Sequence, residues 1–152
     1  MSVFFSNDGA VDFTFTTENN EISITGYIGR GDNVIIPSEI NSLPVTKLGE
    51  DAFGFREKLM HVSIPDAVVI IDDGAFIYTN IRRVIIPERL TCIGEGAFAH
   101  TNLIEVMIPS RVSSIGQFAF GSNKKLTDIT VSDNNPAYSS VDGVLFNKSG
   151  FP

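Results

Sequence analysis

One short phrase returns four times in this chain. "KLGEDAF" ends at Phe53, "IIDDGAF" at Phe76, "CIGEGAF" at Phe98 and "SIGQFAF" at Phe120, so the phenylalanines are 23, 22 and 22 residues apart. A second phrase keeps step: "IIP", "SIP", "IIP" and "MIP" end at Pro37, Pro65, Pro87 and Pro109. The last three prolines each precede their phenylalanine by 11 residues, whereas Pro37 precedes Phe53 by 16; the first copy therefore carries five extra residues, within "SEINSLPVTK". "LTDITV" at 126–131 copies the pattern once more without the proline. A repeat of this period restricts the chain to stacked coils, each contacting only its neighbours.

The apolar positions say how one coil is built. In the third copy they are Ile81, Val84, Ile86, Leu90, Ile93, Ala97 and Phe98. Val84 and Ile86 flank Ile85, which is strand periodicity. Pro87 has no N–H to give a ladder and should end the strand. The step from Leu90 to Ile93 suggests a second, shorter extended piece, after which Gly94 turns the backbone. Positive φ is expected at Gly94, because glycine tolerates it, and at Asp72, which replaces it in the second copy. No coil can bury its own apolar face, but copies stacked roughly 4.8 Å apart bury all of them, with the four "AF" phenylalanines as a spine. The same repetition removes a tempting alternative. "CIGEGAFAH" has the glycines of a ligand-cradling loop, yet such a loop occurs once, between a strand and a helix.

The L-x-x-I-x-I-P…I-G-x-x-A-F unit resembles the leucine-rich repeats of the BspA-type, or Treponema-type, family of bacterial surface proteins. The resemblance covers about 34–132 in four tandem copies, with looser likeness in "ISITGYIGRGDNVIIP" before them and "VSDNNPAYSSVDGVLFNKSG" after them. It implies a curved solenoid with strands on its concave face and a non-catalytic binding role, often adhesion at a cell surface. The fold expected is mainly β: a right-handed leucine-rich-repeat solenoid of four to five coils of 22–23 residues, with short turns or 3-10 segments at the corners. A β cap is expected over 1–30, the solenoid over 31–132 and a second cap over 133–152. In the first cap, Val11, Phe13 and Phe15 alternate with polar residues, "TENNE" makes a turn, and Ile22, Ile24 and Tyr27 supply a return strand, so a hairpin is expected. In the second, "VLF" at 144–146 reads as a short apolar strand in a chain that stops inside the following turn, so that either the sequence is truncated there or the last strand is left partly open. Val144, Leu145 and Phe146 are therefore expected to support self-association, since an unpaired strand is a template for another chain.

Residues two before each proline should face outward: Ile35, Ser63, Ile85 and Met107, with Thr130 equivalent. The column four before each proline reads Asn33, His61, Arg83, Glu105 and Asp128. A surface mixing Met, Arg and apolar anchors suits a protein or peptide, such as a host or matrix protein. Ile35, His61, Arg83, Ile85, Glu105 and Met107 are the expected partner-binding residues. The same residues would serve a dimer interface, and taken singly each is also an ordinary sheet-surface residue.

Other classes of function find little here. A net charge of −7 makes nucleic acid an unsuitable partner. "RR" at 82–83 and "KK" at 124–125 are isolated pairs. The only two histidines, His61 and His100, fall on different sides of the repeat frame, so no metal site, cofactor or catalytic residue is expected. Cys92 is the only cysteine, which excludes an internal disulfide; lying between inward Leu90 and Ile93, it should face outward. "NDGAVD" at 7–12 and "DNN" at 133–135 resemble calcium loops but lack the spaced ligands of one, so turn chemistry is the better reading. Thr79-Asn80 and Thr101-Asn102 should hydrogen-bond turn backbone. The N-terminal stretch has neither a basic start nor a long apolar run, so no signal peptide is present in the sequence as given. The expected function is a non-enzymatic binding or adhesion module, at the cell surface or secreted, with a cytoplasmic scaffold or self-assembly module as the alternative.

Overall fold

A computed structural model describes residues 2–5 and 11–149. Residues 7–10 of "NDGAVD" and the side chain of Val11 lie outside the described residues. Among those described there is no helix, and hence none long and apolar enough to cross a membrane.

The chain opens with three antiparallel strands: β1 (Ser2–Phe5), β2 (Val11–Glu18) and β3 (Glu21–Tyr27). The β2–β3 hairpin is the one the alternation predicts. Asn19 and Asn20 turn it at φ 51° and 60°, the left-handed pair that a two-residue hairpin loop requires. The strand before it, β1, carries no such signal and was not anticipated. The first winding holds β4 (Asn33–Ile35), β5 (Glu39–Ile40) and β6 (Leu43–Leu48). Its five extra residues make a second tight hairpin, β5 against β6, turned at Asn41 and Ser42. Later windings contribute β7 (His61–Ser63), β8 (Ile70–Ile71), β9 (Cys92–Ile93), β10 (Glu105–Ile108), β11 (Ser114–Ile115) and β12 (Asp128–Val131). The hairpin of β13 (Tyr138–Val141) and β14 (Val144–Asn147) closes the described chain.

Two ladders run along the stack. On one, β3, β6, β8, β9 and β11 pair in parallel, so the N-terminal hairpin continues directly into the repeat. This is the short extended piece expected after each proline. Cys92 lies on it between Ile70 and Ser114, a half-buried free thiol beside fully buried Ile93. The other ladder holds the strands that precede the prolines, β4 on β7 and β10 on β12. As expected, the first three of these end before Pro37, Pro65 and Pro109.

The strand expected at Val84–Ile86 does not form. A single bridge from His61 to Arg83 ties this stretch to β7, and the ladder is split in two there. The alternation survives, with Ile85 exposed and Ile86 buried, because burying Ile81 and Ile86 fixes the side-chain directions without a ladder. Hydrogen bonds at the start of the coil keep it in the stack: Asn102 N–H donates to Ile81 C=O at 3.0 Å and Ile104 N–H to Arg82 C=O at 3.2 Å.

The phenylalanine spine is present. Centroids of Phe53, Phe76, Phe98 and Phe120 are separated in turn by 5.0, 5.2 and 5.7 Å, with near-parallel rings. Tyr27 and Phe13 extend the column into the N-terminal hairpin, Tyr27 stacking on Phe53 at 5.8 Å. Each coil also donates from the same place: Phe53, Phe76 and Phe98 N–H groups reach the carbonyls of Ala75, Ala97 and Ala119 at 2.8, 2.8 and 2.7 Å. Thr79 and Thr101 hydroxyls donate back to Phe76 and Phe98 carbonyls, and Asn102 donates to the side chain of Asn80. These are structural turns, as the sequence suggests.

The glycine reading needs correction. Neither Gly94 nor Asp72 has positive φ. The left-handed positions lie two before and two after each spine phenylalanine: Asp51, Gly74, Gly96 and Phe118, then Phe55, Tyr78, His100 and Ser122, at φ 52° to 60°. Gly94 is needed for closeness instead. A Cβ there would stand 2.5 Å from the carbonyl carbon of Asp72, and one on Gly116 would stand 2.6 Å from that of Gly94. Asp72 turns its carboxylate toward Lys47 of the preceding coil, 2.6 Å away.

The C-terminal hairpin also differs from expectation. β14 is not unpaired: it bonds to β13 from Tyr138↔Asn147 to Val141↔Val144. Strand alternation turns Leu145 toward the core, which removes it from the expected self-association set, and leaves Val144 and Phe146 exposed beside Val141. Asn135 fastens the hairpin. Its buried amide donates to the carbonyls of Pro109 and Val112 at 2.7 and 2.9 Å and accepts from the N–H groups of Ala137 and Tyr138 at 2.8 Å each. The "DNN" stretch is thus turn chemistry before the hairpin.

Candidate protein-binding face

The face in question is the outer side of the ladder that precedes the prolines. Strand alternation positions it: Val34, Val106 and Ile108 point inward, which forces Ile35 and Met107 out. Ile85 is 87% exposed, Ile35 80% and Met107 57%. Exposed isoleucine at this level is costly to leave in water and is not required by the stack, since Ser63 holds the equivalent place in β7. That serine also divides the column. Ile85 and Met107 are neighbours, whereas Ile35 stands apart beyond Ser63.

The charged column is continuous. Asn33 is opposite His61, His61 bridges to Arg83, and Glu105 is opposite Asp128. Arg83 Nε lies 3.6 Å from Glu105 Oε1, with the two side chains 76% and 62% exposed. A pair so solvated adds little to folding and can exchange its partner at little cost. The column changes sign along the stack, from the Arg83 guanidinium to the carboxylates of Glu105 and Asp128. Between the third and fourth coils, where the ladder is missing, Arg83, Val84 and Ile85 face Glu105, Val106 and Met107 across an open groove of about 280 Å³. Four of the six expected residues, Arg83, Ile85, Glu105 and Met107, therefore line one groove; His61 joins them only through its bridge to Arg83, and Ile35 does not.

The arrangement offers apolar anchors beside charges of both signs. Among the described residues, no group of three or more His, Cys, Asp or Glu side chains is placed to hold a metal. His61 lies on this face, and His100 lies at a corner, stacked on Tyr78. The corner surface around His100 was not singled out from the sequence. The signal was available in the column two before each spine phenylalanine, which reads Asp51, Gly74, Gly96, Phe118.

Residues 32–149 match the family model described as the BspA type leucine rich repeat region, in six copies. The chain belongs to the BspA-type leucine-rich repeat family. Six copies exceed the four read from the "AF" phrase and carry the repeat through β13 and β14. A leucine-rich repeat protein from Bacteroides capillosus is 27% identical, with a TM-score of 0.67 over 79% of this chain and 94% of that one. The T. pallidum leucine-rich repeat protein is 25% identical, with a TM-score of 0.61 over 77% of this chain and 67% of that one. A leucine rich cell surface protein from Faecalibacterium prausnitzii shares the fold at 20% identity and a TM-score of 0.54; all but 1% of this chain aligns, on 59% of that one. No curated protein matches this BspA-type chain.

Proposed function

We propose that this chain is a non-enzymatic protein-binding module of a bacterial cell-surface or secreted protein, engaging a host or matrix protein through the face around Ile85 and Met107. The observation that carries the reading is the adjacency of these two exposed apolar side chains, set over the groove between Arg83 and Glu105. Protein interfaces are built this way, with apolar anchors at the centre and charges at the rim. The surface assignment is supported by family membership and by the cell-surface description of the F. prausnitzii relative. The test is to immobilise the wild type and an Ile85→Glu/Met107→Glu double mutant side by side and expose both to matrix and host-cell proteins. A protein retained by the wild type and lost by an equally folded double mutant supports the reading; equal retention removes this face as the site.

A second reading rests on a separate observation. Val141, Val144 and Phe146 are exposed on a two-stranded hairpin. Such an edge accepts another strand, so the chain would assemble end to end. Sedimentation as a monomer at high concentration would rule this out.

A further inference from the structure

The corner of the coils holds a trough that neither reading uses. Two residues before each spine phenylalanine the backbone is left-handed, and the column there runs Asp51, Gly74, Gly96, Phe118. Gly96 leaves room in the trough, since a Cβ there would touch nothing nearer than 3.7 Å, while the space beside Gly74 is taken by the Asp51 carboxylate. Asp51 stands at one end, its carboxylate against Gly74. Phe118 stands at the other, 75% exposed. Phe118 holds positive φ, as Phe55, Tyr78 and His100 do at the other corner position, and presents its ring to solvent.

The surfaces between these ends differ in kind. Ile77 and Ala99 supply apolar lining, ending at the His100 ring, which stacks on Tyr78 at 4.3 Å. Glu50, Asp73 and Glu95, one residue before the glycine column, add carboxylates along it. The lining, about 410 Å³ in volume, contains no Lys or Arg. The ion pairs among the described residues, Lys47–Asp72 and Arg83–Glu105, lie elsewhere. Asp73 accepts the Glu95 N–H at 2.7 Å and remains exposed.

Apolar surface beside carboxylates, closed by an exposed ring, matches one kind of side chain: a long aliphatic stem ending in a cation. We propose that this trough receives an extended Arg- or Lys-bearing segment of a partner protein, with stems along Ile77 and Ala99 and cationic heads between the carboxylates and the Phe118 ring. The net charge of −7 favours such a partner and disfavours a second copy of this chain in the same place. The trough is separate from the strand face, and the proposal stands whether or not that face binds.

The experiment is fluorescence anisotropy with a labelled hexa-arginine peptide, and hexaglutamate as reference, at low ionic strength. Hexa-arginine should bind and hexaglutamate should not. Glu50→Gln/Glu95→Gln should weaken binding about tenfold, as expected for two charge-assisted contacts. Phe118→Ser removes no charge and should also weaken it, by roughly threefold to tenfold for one cation–π contact. Serine is acceptable at such a backbone position, since Ser122 adopts φ 56° at the same corner. Asp66→Asn/Glu88→Gln removes the same charge from exposed residues outside the trough and should leave affinity within about twofold. Equal losses in the two paired variants, an unaffected Phe118→Ser, or no binding of hexa-arginine would each overturn the proposal.

Discussion

The ring of Phe76 lies 5.2 Å from that of Phe98, with their planes 12° apart, and both side chains are completely buried. A phenyl ring carries no polar group to satisfy, so their contribution is area and contact. Phe76→Ala or Phe98→Ala should each cost about 3–5 kcal/mol. Urea denaturation of the two variants checks this. Losses below about 1 kcal/mol would mean the column is not a shared core.

Gly94 and Gly96 should respond to alanine for different reasons and to different extents. Gly94→Ala drives a methyl into the backbone of the coil beneath, which cannot move aside, and should cost about 3 kcal/mol. Gly96→Ala meets only ordinary van der Waals contacts, at 3.7 Å from Ile77 and 3.8 Å from Ala99, and carries the left-handed penalty, about 1–2 kcal/mol. Thermal melts that reversed the order would contradict the assignment of closeness to one and conformation to the other.

The Asn135 side chain makes four hydrogen bonds from a buried position, so Asn135→Ala takes a partner from two carbonyls and two N–H groups at once, and the Pro109 carbonyl keeps only the Val112 N–H at 3.3 Å. The expected cost is about 3 kcal/mol, or loss of the β13–β14 hairpin if it detaches before the rest. Hydrogen exchange would separate these outcomes, with early loss of protection confined to 135–147 in the second case.

Arg83→Ala should change stability by less than about 0.5 kcal/mol, because its pair with Glu105 is almost fully solvated. A chemical denaturation curve is the measure. Any loss of partner binding in that variant then belongs to the interface and not to the fold.

Most of the core could be read from the sequence because it obeys one rule repeated. Phe53, Phe76, Phe98 and Phe120 sit at one period, and burial leaves them a single arrangement. The alternation around Ile85 likewise gave its direction. It could not give the missing ladder at Val84–Ile86, because pairing depends on how two coils approach and not on which way side chains point. The glycine error has the same root. Gly94 and Gly96 look alike in sequence, but what distinguishes them is backbone contributed by the preceding coil. Leu145 was grouped with Val144 and Phe146 because three consecutive apolar residues show no alternation of their own; β13 decides which one faces in. The trough was missed because the turning role was given to Gly94, and Gly74 and Gly96, which hold the positive φ, were given none.

The bonds from the Phe53, Phe76 and Phe98 amides to the Ala75, Ala97 and Ala119 carbonyls all run in one direction along the stack. A gene could therefore lose or duplicate one whole winding and find every backbone donor facing its usual acceptor again. Half a winding would set donors against side chains. Length is accordingly a quantity this architecture can change in whole steps, and each step shifts the two outer surfaces together, keeping their spacing.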